Sequence, residues 1–421
     1  MEDIREKVIL VGVDTGVADD YDVCMQELKS LAEACHMQVV GILTQKMEAA
    51  NKALYIGTGK VEELRELAKM TDAELVVFED SLTPSQLRNL KDECKLPVMD
   101  RTNLILDIFA SRAKTREAKL QVEVARLKYL LPRLVGLHDA LSRQGGASGS
   151  MSNKGAGEKK LELDRRKIEH RITELSKELE TVSTERRTQR KRRRNSGIPQ
   201  VSLAGYTNAG KSTLLNTLTN SDIYAKDQLF ATLDPTTRQL TLPNKQEIII
   251  TDTVGFIQRL PHQLIAAFRS TLEVVTEADL LVHVIDVSHE LYKEQATAVH
   301  EVLKEIGAET KPVITVYNKI DKLPPDSKLA DRLALEEDTV CISAAKKLNL
   351  ESLQQMIESH LKSKAVEVTL CIPYAETAKA AQLHETANVL EQEYTENGAV
   401  MKVILPVEDL EAYNEYILKS E

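Results

Sequence analysis

The chain has 421 residues, 42% apolar and 29% charged, with no tryptophan and a formal net charge of −10. At roughly 150 residues per domain this implies about two to four domains with real cores, and it excludes a wholly disordered or collagen-like chain. The longest apolar runs, such as Leu280–Ile285, are far short of the ~20 residues that span a bilayer, so no membrane partner is expected. Taken alone, the acidic balance argues against a nucleic-acid partner.

The charged stretch Met1–Lys7 leads into Val8–Gly12 with no signal peptide visible, and a cytoplasmic location is expected. Residues 1–111 read as a small α/β domain with a mostly parallel sheet. Strand patterns at Val8–Val13, Val39–Leu43, Leu75–Phe78 and Pro97–Met99 alternate with helical spacing at Cys24–Cys35, Val61–Met70 and Ser85–Cys94. Gly57-Thr-Gly-Lys60 lacks the spacer and the Ser or Thr of a phosphate loop. It reads as a tight turn before a helix, with a weak ATP or RNA site as the alternative.

Residues 112–195 change character. Leu120, Val124, Leu127, Leu131 and Leu134 recur every three or four positions, and so do Ile168, Ile172, Leu175, Leu179 and Val182. That period is the seam of a coiled coil. Residues 145–157 between the two segments hold five glycines in thirteen positions and are not expected to form a helix. The reading is an antiparallel helical hairpin, each arm about 45 Å long for roughly 30 residues. Pro132 is expected to kink the first helix. Segment 113–194 carries 22 Lys and Arg against 11 Asp and Glu, a net of +11, which leaves −21 for the rest of the chain. Seven cations crowd into the nine residues Arg186–Arg194. RNA contact is therefore expected on this arm, the alternative being a solvated charged coiled coil.

Residues 196–363 return to strand–helix alternation, with strands at Gln200–Ala204, Glu247–Thr251, Leu280–Ile285, Pro312–Tyr317 and Thr339–Ile342. Residues 364–421 read as strand Val366–Ile372, helix Thr377–Tyr394, strand Ala399–Leu405 and helix Leu410–Leu418, too small to be the catalytic unit. The cysteines Cys24, Cys35, Cys94, Cys341 and Cys371 are scattered, with no Cys-x-x-Cys pair, the usage of reduced packing residues. The histidines show no metal-ligand spacing.

The chemistry lies in residues 200–345. Gly205, Tyr206, Thr207, Asn208, Ala209, Gly210, Lys211 and Ser212 fit G-x-x-x-x-G-K-[ST], after a strand and before the helical Thr213–Leu218. Backbone N–H groups and a helix N-terminus can cradle phosphates there. Lys211 reaches the β- and γ-phosphates and the Ser212 hydroxyl ligates Mg2+. Asp252, Thr253, Val254 and Gly255 end a strand, where the carboxylate can hold an Mg2+ water and the glycine N–H can bond the γ-phosphate. Asn318, Lys319, Ile320 and Asp321 follow another strand. Asp321 can accept from guanine N1–H and N2–H2, a donor pair adenine lacks. Asn318 can pin the adjacent loop and base edge, and the Lys319 stem can lie over the ring. Ser343, Ala344 and Ala345 can offer a backbone N–H to guanine O6. This order and spacing are those of a Ras-like P-loop G domain, so GTP, not ATP, is the expected substrate and GDP the product.

Phe230, Ala231, Thr232, Leu233 and Asp234 lie between the phosphate loop and Asp252 and are expected to line the nucleotide. Thr232 is taken as the second Mg2+ ligand beside Ser212, with Thr236 and Thr237 as competing choices. Lys211, Thr232 and Gly255 are the residues expected to act on the reaction. Phe256 stands where Ras-like proteins place the glutamine that orients the attacking water. A phenyl ring makes no such hydrogen bonds, so isolated hydrolysis is expected to be slow, the missing group coming from a partner or a rearranged switch.

Tyr55–Leu64, Asp100–Phe109, Leu120–Leu134, Gly155–Arg166, the phosphate loop and Phe230–Arg238 together resemble the HflX family of translation-associated GTPases, in the Obg-like, TRAFAC-class group. The likeness covers nearly the whole chain. It implies a Mg2+-dependent GTPase, monomeric when free, that binds the large (50S) ribosomal subunit. The arm would touch ribosomal RNA, with its tip near the peptidyl-transferase region. Implied roles are ribosome splitting or rescue under stress, ribosome assembly and, in some members, antibiotic tolerance. Ser148–Asn153 and Gly155-Ala-Gly157 stand in place of the family's arginine-containing Gly-Pro-Gly-Glu tip. The alternative is a GTP-dependent RNA- or ribosome-binding switch in which hydrolysis only resets binding.

Overall fold

The computed structural model describes residues 5–16, 21–144, 151–194, 198–219, 229–230, 232–259, 261, 264, 269–324, 326–362, 365–395, 397–406 and 410–418. The chain divides into two units. The first is Met1–Val182 with Asp227–Asp234 and Gln258–Phe268; the second is Ser183–Lys226, Pro235–Ile257 and Arg269–Glu421.

In the first unit, strands β1 (Lys7–Asp14), β2 (Gln38–Lys46), β3 (Leu75–Phe78) and β4 (Val98–Asp100) form a parallel sheet in the order β2-β1-β3-β4. Every residue of β3 and the middle six of β1 are buried, as expected for parallel strands covered on both faces. Helices α2 (Thr58–Thr71) and α3 (Pro84–Cys94) supply Val61, Leu64, Leu90 and Cys94 to the core around Ile9, Val11, Val76 and Phe78. Helix α1 (Tyr21–Ala34) packs on β1, β2 and α4 (Arg101–Arg112). Helix α4 was not legible as a helix. Leu104, Ile105, Leu106, Ile108 and Phe109 are all buried, and the polar face is a narrow stripe of Asn103, Asp107 and Ser111, so the helical period is only weakly marked.

The buried carboxylate of Asp100 organises this unit. It caps α4 by accepting from the Asn103 N–H at 2.9 Å, and it also accepts from the Leu82 N–H at 3.0 Å. The Tyr129 hydroxyl and Arg133 Nη2 donate to it at 2.6 and 2.9 Å. Both donors belong to α5 (Arg116–Gln144), so one carboxylate ties the sheet to the helical hairpin. The partner helix is α6 (Met151–Arg194). Leu120, Val124 and Leu175 form the buried seam, flanked by Leu127, Leu179 and Val182. Arg116 pairs with Glu178 at 2.5 Å and Glu123 with Arg171 at 3.0 Å, so the two helices run antiparallel. Leu131, Leu134, Ile168 and Ile172, expected in the seam, are half-buried. Helix α5 continues through Pro132.

One expectation for the hairpin is corrected. Helix α6 begins at Met151 and so includes Gly155 and Gly157. Each helical glycine costs about 1 kcal/mol against alanine, a cost that a long following run of Lys, Glu, Leu and Arg offsets by propagation. Residues 145–150 of the glycine-rich segment lie outside the described residues.

In the second unit, β5 (Gln200–Gly205), β6 (Thr236–Thr241), β7 (Glu247–Asp252), β8 (Leu280–Asp286), β9 (Val313–Asn318) and β10 (Thr339–Cys341) form a six-stranded sheet in the order β10-β9-β8-β5-β7-β6. Only β6 is antiparallel to its neighbour. Helices α7 (Lys211–Thr219), α8 (Arg269–Glu277), α9 (Tyr292–Glu305), α10 (Leu329–Leu333) and α11 (Leu350–Lys362) accompany it. Leu203, Leu214, Leu215, Ile250, Val282, Ile314 and Leu353 share its core. Strand β6 escaped the sequence pattern because it is an edge strand that buries only Leu240.

The C-terminal sheet joins β11 (Ala365–Ile372), β13 (Gly398–Pro406) and β12 (Asn388–Thr395), antiparallel throughout. Two expectations are corrected here. The helix foreseen over Thr377–Tyr394 ends at Thr386 as α12 (Thr377–Thr386), and Asn388–Thr395 instead pairs with β13. Pairing satisfies every second backbone group of a segment whose own pattern fits either period, so tertiary context decides. The helix foreseen over Leu410–Leu418 is a short 3-10 turn, Glu411–Tyr416.

Glu79, just past β3, is 2% exposed and lies 3.7 Å from Arg101 Nη1 and 3.6 Å from Arg259 Nη1. Burial, with Asp80 adding to it, pushes its carboxyl up to about 7, and the two guanidinium groups oppose the rise. Between the ordinary carboxylate range and about 7 the folded chain holds a proton that the unfolded chain releases. Stability is therefore lost as pH rises through that window. Thermal melts from pH 5 to pH 8 are expected to show a falling midpoint in the wild type and a flatter profile in Glu79→Gln; identical slopes would contradict the assignment.

Candidate functional site

The predicted motifs of the second unit leave the C-terminal ends of parallel strands, the edge where open α/β sheets bind ligands. Strand β5 ends at Gly205, β7 at Asp252, β9 at Asn318, and β10 two residues before Ser343.

The Gly205–Ser212 loop is shaped by two glycines. A Cβ on Gly205 would stand 2.3 Å from the Val284 carbonyl oxygen, so only glycine lets β5 run this close to β8. Gly210 has φ +96°, and a Cβ there would meet Asn318 Nδ2 at 2.3 Å. The loop then enters α7 at Lys211, placing a helix N-terminus at the loop. Lys211 is buried, and its Nζ donates to the carbonyls of Gly205 and Tyr206 at 3.0 and 2.8 Å. Burial pulls its pKa down to about 8, and the Asp252 carboxylate partly opposes this. An ammonium held so dry gains strongly from an anionic ligand.

Ser212 Oγ donates to Asp252 Oδ2 at 2.5 Å, which joins a hydroxyl and a carboxylate, the oxygen donors that suit a hard cation. Thr253 Oγ1 donates to the Leu203 carbonyl at 2.6 Å and anchors the start of the following loop to β5. Val254 is buried. The phosphate-loop backbone is stitched to Phe256: Thr207 N–H donates to Phe256 O at 2.7 Å, and Phe256 N–H to Gly205 O at 3.1 Å. The Phe256 side chain is 2% exposed, a core residue and not a solvent-facing one.

Asn318 joins three loops. Its Nδ2 donates to the Ala209 carbonyl at 2.8 Å, and its Oδ1 accepts from the Ala344 N–H at 3.0 Å. Lys319, with φ +66°, sends Nζ to Asp286 Oδ2 and to the Asn208 carbonyl, both at 2.7 Å. Ile320 opens a 3-10 turn, and the exposed Asp321 accepts from Ser343 Oγ at 2.6 Å. Ser343 N–H donates to the Leu348 carbonyl at 3.3 Å, so two of the three backbone donors of Ser343–Ala345 are engaged within the protein, while Ala345 is exposed. Sequence reasoning missed Asp286. The only signal was its position as a carboxylate ending a strand, too common to single out.

Of the remaining predicted residues, Thr236 and Thr237 belong to the second unit and the others to the first. Phe230 stacks edge-on against Phe109 with ring centroids 4.7 Å apart, and Leu233 is buried. Thr232 is half-buried. The Asp234 carboxylate accepts from the Lys114 and Thr115 N–H groups at 3.0 and 3.1 Å and from Thr115 Oγ1 at 2.5 Å, so it caps the start of α5. Ala231 lies outside the described residues. Thr236 and Thr237 open β6, where Thr236 pairs with Asp252 in register and Thr237 Oγ1 lies 3.2 Å from Thr251 Oγ1. Gly57 caps α2 through its backbone and donates to Gln45 Oε1 at 2.9 Å, and Lys60 pairs with Glu63 at 2.8 Å.

A parallel-sheet core with a phosphate loop, a strand-end Asp-x-x-Gly and an Asn-Lys-x-Asp turn defines a P-loop GTPase. Three family models match in succession: one described as GTP-binding GTPase N-terminal over residues 22–110, one as GTP-binding GTPase Middle Region over 112–193, and one as 50S ribosome-binding GTPase over 200–319. The chain is 46% identical to the GTPase HflX of Caldanaerobacter subterraneus, over 98% of this chain and 94% of that protein. It is 39% identical to the GTPase HflX of Escherichia coli K12, over 97% and 95% respectively. Among solved structures, the crystal structure of the SsGBP and GDP complex matches with a TM-score of 0.50 and 28% identity, covering 84% of this chain and 98% of that one. The chain belongs to the HflX GTPase family, and it binds and hydrolyses GTP.

Asn318 gives a sharp test of the site. Asn318→Ala strands a buried carbonyl and a buried N–H, each loss worth about 1–3 kcal/mol. We expect a lower melting midpoint and at least about tenfold weaker GDP binding. Asn318→Asp keeps the acceptor for Ala344 but sets a buried carboxylate oxygen against the Ala209 carbonyl, so it should bind GDP no better than Asn318→Ala. Unchanged GDP affinity in Asn318→Ala would contradict this geometry.

Proposed function

We propose that this GTPase is a cytoplasmic, monomeric ribosome-associated factor that docks on the large ribosomal subunit in its GTP state and acts there in splitting, rescue or assembly. The observation that carries the reading is the charge of the hairpin: a net of +11 over residues 113–194 in a chain whose remainder is −21. Lys and Arg on a coiled coil suit the phosphates of ribosomal RNA. The family description of a 50S ribosome-binding GTPase for residues 200–319 points the same way. The division of labour follows residues 1–111, 112–195, 196–363 and 364–421 as N-terminal, arm, GTPase and C-terminal modules.

At the nucleotide, Lys211 and the Gly255 N–H hold the terminal phosphate, and the Gly205–Ser212 backbone holds the β-phosphate. Asp321 accepts from the guanine edge, and the Ser343–Ala345 loop lies beside the base. Ser212 and Thr232 would ligate Mg2+, whose charge offsets that of the phosphates, and Asp252 would hold a metal-bound water. Phe256 offers no hydrogen bond to an attacking water, so the docked ribosome completes the catalytic set. The second reading, a switch whose hydrolysis only resets binding, shares all of this up to the last step.

Sucrose-gradient sedimentation with ribosomes tests the proposal. Co-migration with the large subunit is expected with a slowly hydrolysable GTP analogue and not with GDP, and it should weaken as salt rises. No association with either nucleotide would remove the ribosomal role. Full subunit splitting with the analogue would favour the resetting role for hydrolysis.

A further inference from the structure

Thr207 is the third residue of the phosphate loop, a position the G-x-x-x-x-G-K-[ST] pattern leaves open. Its side chain is buried, and its hydroxyl oxygen is shielded from solvent with no hydrogen-bond partner. Native proteins rarely leave a buried hydroxyl without a partner, whether protein, ordered water or a ligand. The backbone of Thr207 is fixed by its 2.7 Å hydrogen bond to the Phe256 carbonyl, so the residue cannot swing away from the loop.

Its neighbours are the two groups assigned to the terminal phosphate. A methyl group built on Gly255 would stand 2.8 Å from both Cα and Cγ2 of Thr207, and 3.0 Å from Lys211 Nζ. The Thr207 side chain therefore lies beside the Gly255 backbone and the Lys211 ammonium. Its methyl group faces Gly255, and a one-step change of χ1 between staggered wells would turn Oγ1 to that side.

We propose that the Thr207 hydroxyl donates to a γ-phosphate oxygen of GTP. GDP has no group at that position. Thr207 is then a residue that tells GTP from GDP, beyond its backbone share in the loop. A hydrogen bond to a charged phosphate is roughly twice as strong as a neutral one, and a hydroxyl already desolvated gives up no water to make it. The proposal rests on the GTP-site reading above.

Affinities for GDP and for a non-hydrolysable GTP analogue, measured by calorimetry on the full chain, test it. Thr207→Val keeps the shape and removes the hydroxyl, and Thr207→Ser keeps the hydroxyl. Thr207→Val is expected to bind the analogue about tenfold more weakly while GDP affinity moves less than about twofold, and Thr207→Ser should keep most of the analogue affinity. Equal losses for both nucleotides would make Thr207 a structural residue and overturn the proposal, as would no loss for either. Wild-type protein that binds neither nucleotide would overturn the site reading and this proposal together.

Discussion

The carboxamide of Asn318 is the constraint on which the nucleotide loops depend. One small side chain spends its donor on the Ala209 carbonyl and its acceptor on the Ala344 N–H, and it is 2% exposed while doing so. It thereby sets the distance between the phosphate loop and the loop after β10. Gly210 follows from this choice, since a Cβ there would strike Asn318 Nδ2. Lys319 repeats the arrangement on the outside, linking Asp286 to the Asn208 carbonyl. Loops that look separate in the sequence are thus one hydrogen-bonded frame on a rigid parallel sheet, which is what precise phosphate and base recognition requires.

Within that frame the electrostatics are prepared for an anion. Lys211 is buried against backbone carbonyls with its pKa drawn down to about 8, a setting in which a phosphate stabilises the charged form. The hydrolytic half is less complete. Phe256 is tied by its backbone to Gly205 and Thr207 and is buried in the core. It secures the phosphate loop mechanically and contributes nothing to orienting water. Binding is thus built into the chain, while under the proposed function hydrolysis draws on a group from outside the Asp252–Phe256 stretch.

Much of this was legible in the sequence because glycine and carboxylate positions in a phosphate loop are dictated by sterics and charge. Strands with continuous apolar runs, such as β1, β3 and β8, were legible because parallel strands are buried on both faces. The rest depended on tertiary context. Helix α4 shows only a narrow polar stripe, β6 is an edge strand with one buried residue, and Asn388–Thr395 fits helix or strand until β13 pairs with it. Side chains that serve the frame through non-local bonds, such as Asp286 to Lys319, leave no spacing to read. Asp234, read as a residue lining the nucleotide, spends its carboxylate on the start of α5, a use visible only in three dimensions.

Under the proposed function this chain binds GTP by itself and turns it over rapidly only on the large ribosomal subunit, because Phe256 stands where a water-orienting glutamine would be. Steady-state GTP turnover with and without purified large ribosomal subunits measures this directly. The account predicts slow turnover alone and a rise on the order of tenfold or more with subunits. Equal rates in the two conditions would contradict it.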